Sequence, residues 1–131
     1  MKTLCYVIPG NPVTKKNSQR IVTNKTTGKA FPLPSKQYEN YEAGALMVLK
    51  PSRPKAPIGD PVNIRVRYYM QTLRAVDLVN LLEATDDILV RAGVLQDDNN
   101  RIVAGHDGSR VYLDREHPRA EITITAVDEW W

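Results

Sequence analysis

Acidic side chains recur through residues 77–98, on a pattern that otherwise predicts a helix. Six acids there are accompanied by a single base, Arg91; the acids are Asp77, Glu83, Asp86, Asp87, Asp97 and Asp98. Carboxylate oxygens, with water and a substrate phosphate, are the ligands that Mg²⁺ prefers, and such a centre polarises a phosphodiester and activates water. Because clustered carboxylates repel one another without a cation, gathered acids tend to mark function.

Each acid also has a simpler explanation. Asp77 precedes the helix and suits an N-cap, which contributes about 1 kcal/mol. Residues 97–100 are typical of a polar turn. Asp86 and Asp87 fall in the middle of the helix and are most simply interpreted as surface residues. Taken singly, each of these roles is commoner than metal binding.

The distance along the chain between Asp77 and the pair Asp97–Asp98 leaves their convergence open. A helix of about fifteen residues spans roughly 22 Å, and the short return segment 93–98 cannot reach back to Asp77. Three alternatives are open: the helix is shorter, the Asp pair of one subunit has partners other than its own Asp77, or a strand over 94–104 runs back along the helix. The sequence does not choose among these alternatives.

A few further residues suggest chemistry. Lys15, Lys16 and Asn17 lie in a loop next to a proline and are candidates to hold a DNA phosphate backbone, the simpler alternative being a solvated loop. His106 and His117 are too few and too irregularly spaced for a zinc site, and we interpret them as surface residues. Neither a nucleophile elbow nor a phosphate-binding glycine loop is present.

Alternating strands and helices must position these residues. The patterns predict a helix over 34–50 with Ser35 as N-cap and a second from Asp77 to a stop at Gly93. Strands are predicted at 3–10, from Ser18, at 62–70, across 101–113 and at 119–127, with a hairpin tip at 23–31, a proline-rich loop at 51–61 and an antiparallel closing pair. We therefore expect an α+β fold, a mixed sheet with two main helices packed on one face, as one domain over 1–131.

Composition bounds the function. The chain has 131 residues, no apolar run long enough to span a membrane and no recognisable secretory signal, and the lone Cys5 favours a reducing cytoplasm. Residues 1–55 hold ten Lys or Arg and two acids, whereas the rest hold eight bases and thirteen acids. The basic part is the one suited to a polyanion.

Trp130 and Trp131 are expected to pack on their own sheet or on a partner, base stacking being the alternative.

The segment "DLVNLLEATDDILVRAGVLQDD" resembles the signature of the RusA family of Holliday junction resolvases, and "IPGNPVTKKNSQRI" followed by "LPSKQYENYE" is similar to phage-type members. The matching positions are Asp77, Leu78, Asn80, Leu81, Asp87, Leu89, Ala92, Gly93, Asp97 and Asp98.

The resemblance implies a homodimeric, Mg²⁺-dependent endodeoxyribonuclease that cuts four-way DNA junctions in recombination and repair, with Mn²⁺ as a substitute cation. It implies that Asp77 and Asp98 are catalytic metal-site carboxylates with Asp97 beside them, and that Asn80 joins Lys15, Lys16 and Asn17 in contacting DNA. The setting implied is a bacterial cytoplasm, with a phage gene as a source.

Two positions depart from the family pattern. The family's second aspartate, two residues after the first, is Val79 here, and Glu83 stands where a lysine is common. One hypothesis is that Glu83, one helical turn beyond Val79, serves as the replacement catalytic carboxylate, since residues i and i+4 share a helix face. The alternative is a degraded protein of the same fold that binds junctions without cutting them. A third is an acidic interaction module with no nucleic-acid role.

Overall fold

The computed structural model describes residues 1–15 and 19–128, with only the backbone described at 19 and 20. Its strands are β1 (Leu4–Pro9), β2 (Gln19–Thr23), β3 (Ala30–Pro34), β4 (Val62–Met70), β5 (Val103–Gly105), β6 (Arg110–Leu113) and β7 (Arg119–Ala126). Its α-helices are α1 (Lys36–Leu49), extended by a 3₁₀ turn at Lys50–Ser52, and α2 (Leu78–Arg91). The expected Lys16, Asn17, Trp130 and Trp131 contacts lie outside the described residues.

The main sheet has the order β1-β7-β4-β5. β5 pairs with the start of β4, at Val62 and Asn63, and β6 pairs with its end, at Arg67–Met70. β2 and β3 form a separate hairpin. β7 is antiparallel to both β1 and β4, as expected for the closing strands. β5 and β6, however, are parallel to β4 and pair with it rather than with β7, so the expected antiparallel pair of closing segments is not formed, although the sheet is mixed as expected. The reason is α2, which carries the chain over the sheet and returns it in the direction of β4.

The hydrophobic core lies between one face of the sheet and the two helices, which confirms the predicted α+β fold. β4 alternates strictly, burying Val62, Ile64, Val66, Tyr68 and Met70. Against it α2 buries its apolar stripe, where the hydroxyls of Tyr68 and Thr85 lie 2.6 Å apart. An ion pair between Arg91 and Glu42 joins α2 to α1.

The helix caps follow the sequence. Ser35 accepts a hydrogen bond from the Tyr38 N–H. The Oδ1 of Asp77 accepts from the Val79 N–H at 2.9 Å and the Asn80 N–H at 3.2 Å. Gly93, at φ +80°, ends α2 in a conformation that favours glycine. No helix of the described residues is long and apolar enough to cross a bilayer.

Candidate active site

The chain turns back beside α2 after Gly93. The Val94 N–H donates to the Leu89 carbonyl at 3.0 Å, and Leu95 pairs with Ile58 in a parallel bridge. These bonds fix the direction in which residues 96–100 leave the helix. Of the three alternatives left open by the sequence, the described structure is nearest to the return along the helix, but the expected strand over 94–104 is not formed. An isolated bridge at Leu95 and a turn precede β5, and Asp97 and Asp98 lie beside the last part of the helix, at residues 87–91.

The return brings Asp97 and Asp98 to an acidic cleft on the flank of α2. The cleft has a volume of about 270 Å³ and is lined by Lys15, Asp87, Val90, Arg91, Asp97 and Asp98. Lys15 faces Asp87 there, with Nζ 4.0 Å from Oδ2. Carboxylates therefore face one another across an open space, with a lysine at its edge that can attract a phosphate.

The charges in this region disturb one another. The pKa of Asp87 is raised, chiefly by burial and further by the negative charges of Asp98, Glu83 and Asp86, and Lys15 opposes the shift. The pKa of Asp86 is raised as well, first by burial, while His106 lowers it and Asp98 raises it. A cation among these groups would relieve the repulsion between them.

Asp86 and His106 contradict their interpretation as surface residues. Asp86 is only 7% exposed, and its Oδ2 accepts a hydrogen bond from the His106 imidazole with 2.8 Å between Oδ2 and Nε2. Its Oδ1 is buried with no hydrogen-bond partner. The signal was in the sequence: Asp86 lies four residues after Leu82 and three before Leu89, so it falls on the apolar stripe. Asp87 is half-buried rather than fully exposed.

Asp77 and Asp97 are engaged in local hydrogen bonds. Asp77 does not line the cleft; it caps α2 nine residues before Asp86, a separation of about 13 Å along the axis. Asp97 orders its own turn by accepting from the Asp98 N–H at 2.7 Å and from Asn99 Nδ2 at 3.2 Å. The Asp98 N–H bond is the main cause of a lowered pKa at Asp97.

The residues predicted to assist lie on the same helix. Glu83 is exposed one turn before Asp87, close enough to raise the pKa of that carboxyl. Asn80 is half-buried one turn earlier, and Val79 is 69% exposed. The helix therefore presents a row of polar positions that leads from Asn80 to the cleft.

A preformed metal cage is not part of this arrangement, since the described residues contain no group of three or more His, Cys, Asp or Glu side chains able to hold a metal ion. Mg²⁺, however, commonly takes only one or two carboxylates and completes its shell with water and substrate phosphate. Asp87 and Asp98 are hard oxygen donors on the wall of the cleft and suit such a shared site.

The described chain is thus a small α+β protein in which carboxylates and a lysine line an open cleft. The chain belongs to the RusA endodeoxyribonuclease family, whose family model matches residues 9–125 of the 131. The match covers both helices and the acidic segment 77–98. No curated protein matches the chain.

Proposed function

We propose that this chain is a Mg²⁺-dependent endodeoxyribonuclease that cuts branched DNA, in particular four-way junctions. The observation that carries the proposal is the approach of Asp98 to Asp87 beside Lys15, in a chain whose family is one of endodeoxyribonucleases. The acids come from two segments that are separated by the end of α2, as expected of a built site rather than of one solvated helix face.

The chain's own residues have distinct roles in this proposal. Lys15 attracts the backbone phosphate to the cleft mouth, while Asp87 and Asp98 supply the oxygens that hold the cation. Asp97 fixes the turn that presents Asp98. When bound, Mg²⁺ supplies charge neutralisation at the scissile phosphate and a more acidic water. The family resemblance gives Asp77 a metal-site role as well, but in this proposal Asp77 lies outside the cleft and caps the helix that carries Asp87.

DNA binding at the cleft is proposed to depend on the loop at residues 15–17 and on Asn80, and not on the other lysines of the chain. Lys15, Lys16, Asn17 and Asn80 contact the phosphate backbone, so that affinity falls steeply as salt rises. A homodimer is the proposed active form, because a four-way junction has approximate two-fold symmetry and two related sites match its strands. The proposed setting is the bacterial cytoplasm.

The test is cleavage of a synthetic four-way junction by wild type and Asp98→Asn, in Mg²⁺ and in EDTA. Asp98→Asn is expected to lose at least about 100-fold in nicking rate, because one metal-holding oxygen set is removed. Its junction affinity in EDTA should be kept or improved, because a negative charge near phosphate is lost. Asp60→Asn, an exposed acid outside the cleft, is the matched control. Normal cutting by Asp98→Asn would refute the site.

A second candidate function is favoured by one observation. Val79, where the family has an aspartate, is exposed on the helix that leads to the cleft and cannot bind a cation. A protein with such a degraded site would bind branched DNA with or without Mg²⁺ and never cut it. The same cleavage assay on wild type separates the two functions.

A further inference from the structure

The face of the main sheet opposite the helices has its own chemistry. Its rows cross the strands in register: Tyr69 lies between Arg119 and Tyr112, and Arg67 lies between Glu121 and Arg110. Further along β4, Arg65 lies opposite Thr123 and Asn63 opposite Thr125. This open face is separate from the cleft, because the sheet itself and α2 lie between them.

Planar groups are stacked side by side on the open face. The guanidinium carbon of Arg119 lies 3.9 Å from the centroid of the Tyr69 ring. The rings of Tyr69 and Tyr112 are 5.1 Å apart with an interplanar angle of 18°. Tyr112, at the end of the row, is 36% exposed. The stack therefore offers a ring surface at its free end.

Two acidic groups at this face, Glu121 and Asp114, are engaged by Arg119. Its Nε donates to Glu121 and its Nη1 to Asp114, each at 2.9 Å. Arg67, although directly opposite Glu121, forms no ion pair with any described residue, and its Nε is buried without a hydrogen-bond partner.

The remaining cations on the face are likewise without acidic partners. Arg65 has only a long bond of 3.5 Å to the Thr123 hydroxyl, and Arg110 makes no ion pair in the described part of the chain. One exposed acid, Asp107, lines the shallow depression beside Arg65. Three guanidinium groups thus remain uncompensated around the row of tyrosines.

We infer that this open face binds single-stranded DNA, with Arg65, Arg67 and Arg110 holding backbone phosphates and Tyr112 stacking an unpaired base. A positive surface that ends in an exposed aromatic ring is the combination that single-strand binding uses. A second copy of this chain is a poor fit, because it would bring the same uncompensated cations against each other. The inference rests on the proposed function only in taking DNA as the ligand.

The test is fluorescence anisotropy in EDTA with a labelled oligothymidine of about 16 nucleotides, and with a duplex of the same length. Arg65→Gln with Arg67→Gln should weaken oligothymidine binding about tenfold and lower the salt slope by about 1.4, since two phosphate contacts are lost. Tyr112→Leu should weaken single-strand binding about 5- to 100-fold without changing the salt slope, and leave duplex binding unaltered. Lys50→Gln with Lys55→Gln, which removes two exposed charges elsewhere, is the control.

The outcomes separate the two proposals. Wild-type affinity and salt slope in Arg65→Gln with Arg67→Gln would overturn the inference and leave the nuclease intact. An equal loss in the lysine control would also overturn it, since net charge alone would then explain binding. A shift of that arginine variant from dimer to monomer in sedimentation would make the face a subunit interface instead. A wild type that binds oligothymidine but never cuts a junction would refute the nuclease alone.

Discussion

Val79 and Glu83 together pose the sharpest residue-level question. Glu83 adds a carboxylate one helical turn from Val79, where the family resemblance implies an aspartate, and its charge raises the pKa of Asp87. Because α2 is regular from Leu78 to Arg91, Glu83 projects toward the same flank as Asp87, one turn further on. The arrangement is therefore consistent with a carboxylate that has moved by one turn.

Glu83→Gln tests this replacement. If Glu83 supplies the missing oxygen, Mg²⁺-dependent nicking of a four-way junction should fall at least about tenfold, because the amide loses the charge that attracts the cation. Glu116→Gln, an exposed acid beyond β6, should cut at the wild-type rate. Nicking by Glu83→Gln that matches wild type would exclude the replacement.

At the residue scale, the roles that depend on neighbouring residues were predictable, and those that depend on distant ones were not. The capping roles of Ser35 and Asp77 were confirmed, because a cap needs only the next few backbone N–H groups. The burial of Asp86 could have been predicted from its place between Leu82 and Leu89, but its hydrogen bond could not. Its partner, His106, is twenty residues away, and no local pattern links the two.

At the scale of elements, the bond between Asp86 and His106 ties α2 to the segment that joins β5 to β6. That segment is also held to β4, where the Asp107 N–H donates to Asn63 Oδ1 at 2.8 Å and the Ser109 hydroxyl accepts from the Val66 N–H at 3.0 Å. The helix and the edge of the sheet are therefore joined by polar bonds as well as by the apolar core.

Substitution of His106 and substitution of Asp86 should have different effects on the free energy of unfolding. His106→Ala leaves a buried carboxylate without a partner and should lower the free energy of unfolding by about 3 kcal/mol. Asp86→Asn keeps the shape and a hydrogen bond without the buried charge, and should change it by less than about 1 kcal/mol. Urea denaturation measures both, with the exposed His117→Ala as control. Equal losses from the two variants would contradict the argument.

The boundaries of both helices and of β1, β4 and β7 were predicted to within about two residues, whereas β3 was missed, because residues 23–31 were expected to be only a hairpin tip. Strand pairing was predicted less well. β4 and β7 alternate so regularly that their extent and buried faces follow directly from the sequence. The parallel pairing of β5 and β6 with β4 could not be read from those short segments. It depends on where α2 returns the chain, which is a property of the packed helix.

At the scale of the whole molecule, the proposed cation site has carboxylates on two segments only, Asp87 on α2 and Asp98 beyond it, so the proposal predicts that cation and DNA bind together. Calorimetric titration with Ca²⁺, used in place of Mg²⁺ to limit cutting, should show affinity at least about tenfold higher for the complex with a four-way junction than for the protein alone, because phosphate completes the coordination shell. The junction alone and Asp98→Asn with junction are the controls. Equal, tight binding without DNA would show that the site needs no substrate.

The family and the fold were both within reach of the sequence, because the segment 77–98 is specific and the matched region extends over residues 9–125. How the acids are grouped was not. The direction of the chain after Gly93 decides that Asp98 meets Asp87 rather than Asp77, and this direction is set by the bridge between Leu95 and Ile58.

The pairing of β1 with β7 has a consequence for synthesis in the cell. Leu4 lies opposite Ile124, and β7 is the strand that separates β1 from β4. While a ribosome is still translating the residues before 119, both neighbouring strands lack their shared partner and expose edges prone to wrong association. The central part of the sheet can therefore close only after β7 has been synthesised.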